Sequence, residues 1–291
     1  MDLLPMFALA EPKLPCLDRT VKRQSPELSG KTSSRRRASR APMLPELVLW
    51  LDRTLRIAEI GDYPNAWNGL QLENSGAVTK IGAAVDASES VIAAAVAEGV
   101  SLLLVHHGLF WGGLQPITGA WRRKLKLALD HDLAIYSAHL PLDVHPELGN
   151  NALLCKALGF KKCVPFFSAK GQPIGLKTRA VLHVGELAGR LEEVLGGAPH
   201  LAPGGSATTE WIGVVTGGAG GEVAQAAAEG VDTFITGEGP HHSYALAEEL
   251  GVNLFYAGHY ATETSGVQAL AKRASGKFAV PWVFLDHPSG L

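Results

Sequence analysis

The sequence predicts an α/β fold made of two copies of one three-layer α/β unit, and three observations predict it. Residues 81–100 (IGAAVDASESVIAAAVAEGV) align without a gap on residues 212–231 (IGVVTGGAGGEVAQAAAEGV), at an offset of 131. In both copies, apolar runs of strand length alternate with Ala-rich runs of helix length, the pattern of βαβ units on a parallel sheet. Polar residues able to bind a cation gather just after the apolar runs, where the loops of an open α/β sheet converge.

Taken in order, residues 1–42 hold nine Lys and Arg, four acids and prolines at 5, 12, 15, 26 and 42, with no periodicity. They read as a disordered extension or a misassigned start. A targeting peptide is the competing reading, but acids stand among the bases and no amphipathic pattern runs through them. Met43 is the expected physiological start, because residues 45–60 at once form an amphipathic helix with Leu47, Val48, Trp50, Leu51, Leu55 and Ile57 along it. The first α/β half, 43–158, continues with a strand from Ile81, a helix closed by Gly99, a strand over 101–105, a helix over 122–130 and a strand over 133–138. Residues 159–210, rich in Pro and Gly, read as a connecting or inserted segment with a helix over 184–195. The second half, 211–291, repeats the order: a strand from Ile212, a helix closed by Gly230, a strand over 232–236, a helix over 243–250 and a strand over 253–257.

Composition bounds the function. At 46% hydrophobic and 19% charged the chain has a normal globular balance. Setting residues 1–42 aside leaves 17 basic and 24 acidic residues, a body of net charge −7. That sign argues against nucleic acid as the main partner and suits a site that collects cations. Cys16, Cys155 and Cys163 make neither a CxxC pair nor an even framework, so neither a disulfide scaffold nor a thiolate zinc site is expected. A reducing, cytoplasmic setting is the simplest reading. No apolar run reaches the roughly 18 residues that would span a bilayer, so no membrane partner is expected.

The strand ends carry the chemistry. His106 and His107 follow the second strand of the first half, and His139 with Asp143 follows the third. In the second half Glu238 and then His259 with Glu263 stand at the matching places, and both His-x-x-x-carboxylate groups recur at an offset of 120. Imidazoles mixed with carboxylates suit zinc, iron or manganese, whereas an all-oxygen shell would suggest calcium or magnesium. So many donors exceed the needs of one tetrahedral zinc, but two ions about 3.5–4 Å apart can share a carboxylate. A chain that turns at the strand end would let His106 and His107 serve different ions. Singly, each histidine could be a hydrogen-bonded loop residue and each carboxylate a helix cap; an HH pair with two such groups at matching ends of a repeat is poorly explained by capping. His145, His183, His200 and His287 lack that context and read as ordinary residues.

The segments NAWNGLQLEN from Asn65, LLVHHGLFWGG from Leu103, YSAHLPLDVHPELGNN from Tyr136, FITGE from Phe234 and FYAGHYATE from Phe255 together resemble the Nif-three-like family. That family is also described as dinuclear metal-centre proteins or type-two homologues of GTP cyclohydrolase one, and the likeness to its YbgI-like members spans about residues 43–291. The resemblance implies duplicated three-layer α/β units with the metal site between the halves. The ligands it implies are His106, His107, Asp143, His259 and Glu263, with Glu263 as the bridge between two divalent ions. It places His139, Glu238 and His242 near the metals, where they would orient ligands or bind substrate, and it implies a ring-shaped homohexamer. One departure is Tyr260, where relatives usually have a second histidine; altered hydrogen bonding around the ligands is expected there. The expected function is a metal-dependent hydrolase of an unknown small molecule, with Glu238 or His242 as the catalytic proton shuttle. The alternative is a metal-binding, metal-delivery or regulatory protein without turnover. The family name implies opening of the purine ring of GTP, yet Gly217–Gly221 (GGAGG) lacks the lysine of a phosphate-cradling loop.

Overall fold

Parallel strands covered on both faces need apolar residues at nearly every position, and the computed structural model, which describes residues 41–291, places such strands at the centre of two sheets. The extension expected over residues 1–42 lies outside the described residues, save its last two. In chain order the first half comprises α1 (Leu44–Leu55), β1 (Gly69–Leu72), β2 (Ile81–Asp86), α2 (Glu89–Ala97), β3 (Leu102–His107), α3 (Gly119–Asp130), β4 (Ala134–Ser137), α4 (Leu140–Asp143) and α5 (Asn150–Ala157). Then follow β5 (Val164–Ala169), β6 (Gln172–Arg179), α6 (Val184–Leu195) and β7 (His200–Pro203). The second half adds β8 (Trp211–Val214), α7 (Val223–Ala228), β9 (Thr233–Thr236), α8 (His242–Leu250), β10 (Asn253–Tyr256), α9 (His259–Phe278) and β11 (Trp282–Phe284).

The first sheet runs β1-β4-β3-β2-β11 and the second β5-β6-β8-β9-β10-β7. Strands β4-β3-β2 are parallel, as are β10-β9-β8, so the repeated strands occur in one order in both sheets. The expected α/β fold of two three-layer units is therefore observed. The segment over 159–210 gives the second sheet its antiparallel margin, β5 and β6 on one side and β7 on the other.

Helices cover both faces of each sheet, and two of them are exchanged between the halves. On one face of the first sheet α1 packs together with Val267, Leu270, Ala271 and Ala274 of α9, a helix from the second half. The other face is covered by α2 and α3. On the second sheet α7 and α8 cover one face, while α6 and Leu154, Cys155 and Leu158 at the α5 end of the first half cover the other. Helices α5 and α9 also touch one another, and the carboxyl ends of the two sheets meet at that contact.

Two local expectations are corrected. Helix α1 stops at Leu55 rather than residue 60, because Arg56 turns left-handed (φ 55°) and its N–H closes on the Asp52 carbonyl. Strand β3 includes His106 and His107 instead of ending before them; His107 is still in register with Asp86 of β2. The two histidines thus leave the strand side by side, with ring centroids 4.9 Å apart, without a turn between them.

Candidate metal centre

Five polar side chains from three elements converge where the sheets meet. β3 presents His106 and His107 from its last two positions, α4 ends in Asp143, and the start of α9 carries His259 and Glu263. The last two are four residues apart, so they lie on one helix face. Glu263, 2% exposed, stands at the middle. His106 Nε2 is 3.4 Å from its Oε1 and 3.4 Å from Asp143 Oδ2. His107 Nε2 is 3.5 Å and His259 Nε2 3.2 Å from Glu263 Oε2.

Each imidazole is turned by a hydrogen bond from its other nitrogen. His106 Nδ1–H donates to the Ala138 carbonyl, His107 Nδ1–H to Asp86 Oδ1 and His259 Nδ1–H to Glu238 Oε1, all at 2.9 Å. Those partners fix the tautomer of the neutral rings, in which every Nε2 turns its lone pair to the centre. Asp143 is held likewise: Asn150 Nδ2–H donates to its Oδ1 at 2.7 Å, and Asn150 Oδ1 accepts the Gly266 N–H of α9 at 2.7 Å. Close approach from the opposite side needs Gly217, at φ +74°, since a Cβ there would run into the Glu263 carboxylate.

At 3.2–3.5 Å the inner contacts are longer than the about 2.7–2.9 Å of charge-assisted hydrogen bonds. His106 Nε2 and Glu263 Oε2 are buried with no hydrogen-bond partner. Such atoms are costly unless a further group satisfies them. Burial opposes the His106 imidazolium, but the Asp143 and Glu263 carboxylates outweigh it and hold the pKa well above the ordinary value. Burial likewise opposes the Glu263 carboxylate, and His106 with His259 overrides it, holding the pKa well below the usual range. His259 is raised to about 9, Glu263 and Glu238 overcoming its burial, whereas burial lowers His107. The centre draws positive charge, and its donors are those that hold transition metals. Two overlapping groups suit a cation: His106, His107 and His139, and His107, His259 and Glu263.

All five expected ligands therefore come together. Glu238 reaches the same cleft, but its carboxylate is engaged by His259. His242, expected beside it, is exposed at the start of α8 and takes no part in the lining of this cleft. His139 stands 4.8 Å from the His106 ring and donates from Nδ1 to Asp62 Oδ1 at 2.9 Å. Tyr260 turns away from the centre: its hydroxyl donates to Asp286 Oδ1 and accepts the His287 N–H, tying down the C-terminal residues. Reading the sequence missed Asp62, Asp86 and Asn150. The strand-end rule could have found Asp86, the last residue of β2; Asp62, on a loop, had no such signal.

Comparison with known proteins agrees with the geometry. The family model for Duf34/NIF3 (NGG1p interacting factor 3) matches residues 42–289. A Deinococcus radiodurans protein named "GTP cyclohydrolase 1 type 2 homolog" is 43% identical over 249 residues, covering 84% of this chain and 94% of its own. Among solved structures, TTHA1606 from Thermus thermophilus superposes with TM-score 0.78 at 41% identity, covering 85% of this chain and 99% of its own. The protein ybgI, of unknown function, gives TM-score 0.78 at 36% identity, covering 86% and 100%. With its duplicated sheets, its strand-end histidines and a match that runs nearly the length of the described residues, the chain belongs to the Duf34/NIF3 family.

Proposed function

We propose that this chain holds two divalent cations, zinc, iron or manganese, and hydrolyses a small molecule beside them. The observation that carries the reading is the convergence of three Nε2 atoms, each turned inward by its own Nδ1 hydrogen bond, on the two oxygens of the buried Glu263 carboxylate. The donors divide about Glu263, His106 with Asp143 on the side of Oε1 and His107 with His259 on the side of Oε2, which supports a pair of cations rather than one. His106, His107, Asp143, His259 and Glu263 would hold them, with Glu263 facing His106 through one oxygen and His107 and His259 through the other. The cations would supply Lewis acidity and lower the pKa of water, the usual chemistry of two-metal hydrolases. The chain's own part is to fix donor directions through Asp86, Glu238 and the Ala138 carbonyl, and to shape a cleft of about 370 Å³ against the centre. Carried over from the family, six copies would close into a ring; a light-scattering mass near the 30.8 kDa of one chain would overturn that.

A second reading, metal delivery without turnover, draws on the engagement of Glu238 by His259 and the exposure of His242 away from the cleft. Neither candidate proton shuttle then stands free beside the centre. Elemental analysis of native protein comes first: two equivalents of a divalent metal are expected, and metal-free material refutes both readings. A screen against nucleotides, phosphodiesters and amides then separates them. Hydrolysis lost in both His107→Ala and Glu263→Ala supports the enzyme, and full occupancy with no turnover on any class supports delivery.

A further inference from the structure

A second cavity, of about 500 Å³, shares Asp143, Asn151 and Ile174 with the cation cleft and is lined by two of the chain's three cysteines. Nothing in the spacing of Cys155 and Cys163 pairs them; the fold does. Cys155 lies on α5 and is 3% exposed. The helix stops before Gly159, whose left-handed backbone (φ 79°) turns the chain back, so that the Phe160 N–H closes on the Cys155 carbonyl at 2.9 Å. Cys163 stands just before β5, where the register of Val164 with Lys177 sets it opposite Thr178 of β6. The Thr178 hydroxyl donates to the Lys161 carbonyl at 2.8 Å and holds this return in place. Cys163 thereby packs against the apolar cluster that contains Leu154, Cys155 and Leu158.

We infer that Cys155 and Cys163 are a thiol–disulfide exchange pair, with Cys163 the attacking sulfur, Cys155 the resolving one and a low-molecular-weight disulfide the oxidant. Burial assigns the order. Cys155 is enclosed, whereas Cys163 is half-buried in the cavity wall, so an incoming disulfide meets Cys163 first. The neighbouring Cys155 thiol pulls the Cys163 pKa down to about 7 against its burial, and the same contact, with burial, pushes the Cys155 thiol well above its ordinary value. The thiolate is the nucleophile in exchange, and attack is fastest from a thiol whose pKa lies near the ambient pH. In the first step the Cys163 thiolate attacks one sulfur of the external disulfide, whose S–S bond breaks. One thiolate leaves and takes up the proton that Cys163 had lost, and a mixed disulfide remains on Cys163. In the second step Cys155 gives up its proton and attacks the Cys163 sulfur; the Cys155–Cys163 bond forms, and the other half of the oxidant leaves as a thiol with that proton. Two protein thiols are oxidised and one external disulfide is reduced to two thiols. The loop so closed, residues 155–163, is short, so the bond adds less stability than a bridge between distant segments and suits reversal.

The test is incubation of the full chain with oxidised glutathione near neutral pH, quenching with N-ethylmaleimide and digestion with trypsin. Lys156, Lys161 and Lys162 stand between the two cysteines, so peptides 127–156 and 163–170 stay joined only if the bond has formed. The joined pair should appear, and should be lost on adding dithiothreitol. Cys155→Ser should stop at a glutathione adduct on peptide 163–170, and Cys163→Ser should leave peptide 127–156 unmodified, with circular dichroism checking that both variants are folded. In the reduced wild-type chain, iodoacetamide should alkylate Cys163 at least about tenfold faster than Cys155, reaching half its limiting rate at about pH 7. Both thiols still free after incubation of the wild-type chain, a bridge from either to Cys16 in place of this one, or first modification at Cys155 each overturns the inference.

Discussion

Asn150→Ala tests how the centre is braced. Asn150 is 0% exposed and uses both ends of its amide: it donates to the Asp143 carboxylate and accepts from Gly266 N–H, each at 2.7 Å. Removing the first bond forfeits about 1.5–3 kcal/mol, the share of a hydrogen bond to a charged group, and removing the second about 1 kcal/mol more. The expected loss is ~2.5–4 kcal/mol, which for a domain of this size lowers Tm by about 5–16 °C. Asp143 would also lose its aim. Supporting hydrogen bonds of this kind are worth about 10- to 100-fold in metal affinity, so the variant should bind zinc that much more weakly at about 25 °C, where it is still folded. Thermal unfolding by circular dichroism, with and without chelator, and competition with a zinc indicator give both numbers. A variant within about 1 kcal/mol of wild type that binds zinc equally well would refute the claim that Asn150 braces α4 against α9.

Other outcomes follow from the same geometry. Gly217→Ala puts a Cβ at φ +74° against the Glu263 carboxylate, and elemental analysis should find less than half the wild-type metal in it, with stability down by about 1 kcal/mol or more. Phe234→Ala, fully buried in the second sheet, should cost about 3–5 kcal/mol in urea unfolding while leaving metal per folded molecule unchanged. His259, raised to about 9 by Glu263 and Glu238 against its burial, must lose a proton to take a cation. Apparent zinc affinity should therefore rise with pH from neutrality through about 9, with proton release near neutrality seen as a buffer-dependent calorimetric heat. In chelated protein the sign is opposite: the stability contributed by this raised pKa is full below the ordinary 6.5 and fades as pH climbs through about 9.

Much of this architecture is legible in the chain because it is local. The strands β2, β3 and β8 announce themselves as mostly apolar runs, and helix α6 occupies the 184–195 span that its periodicity predicts. The ligands are legible because a parallel sheet gathers its carboxyl ends at one side, so histidines there need only be counted. What is not legible depends on distance. Nothing in the local pattern of Val267, Leu270 and Ala274 says that their helix covers the other half's sheet; only the packing of two complete sheets decides it. The same holds for Asp62 beside His139, 77 residues apart, and for the left-handed turn at Arg56 that shortens α1.

The exchange of α5 and α9 means that the molecule cannot be divided at its own repeat boundary. A fragment stopping near residue 148 would keep β1 to β4 of the first sheet but lose its edge strand β11 and, with Val267, Leu270, Ala271 and Ala274, the cover of one face. The remainder would miss Asp143, which stays with the first piece, and with it a wall of the cation site. Each half therefore completes the other's interior, and the candidate metal centre lies at the seam between them.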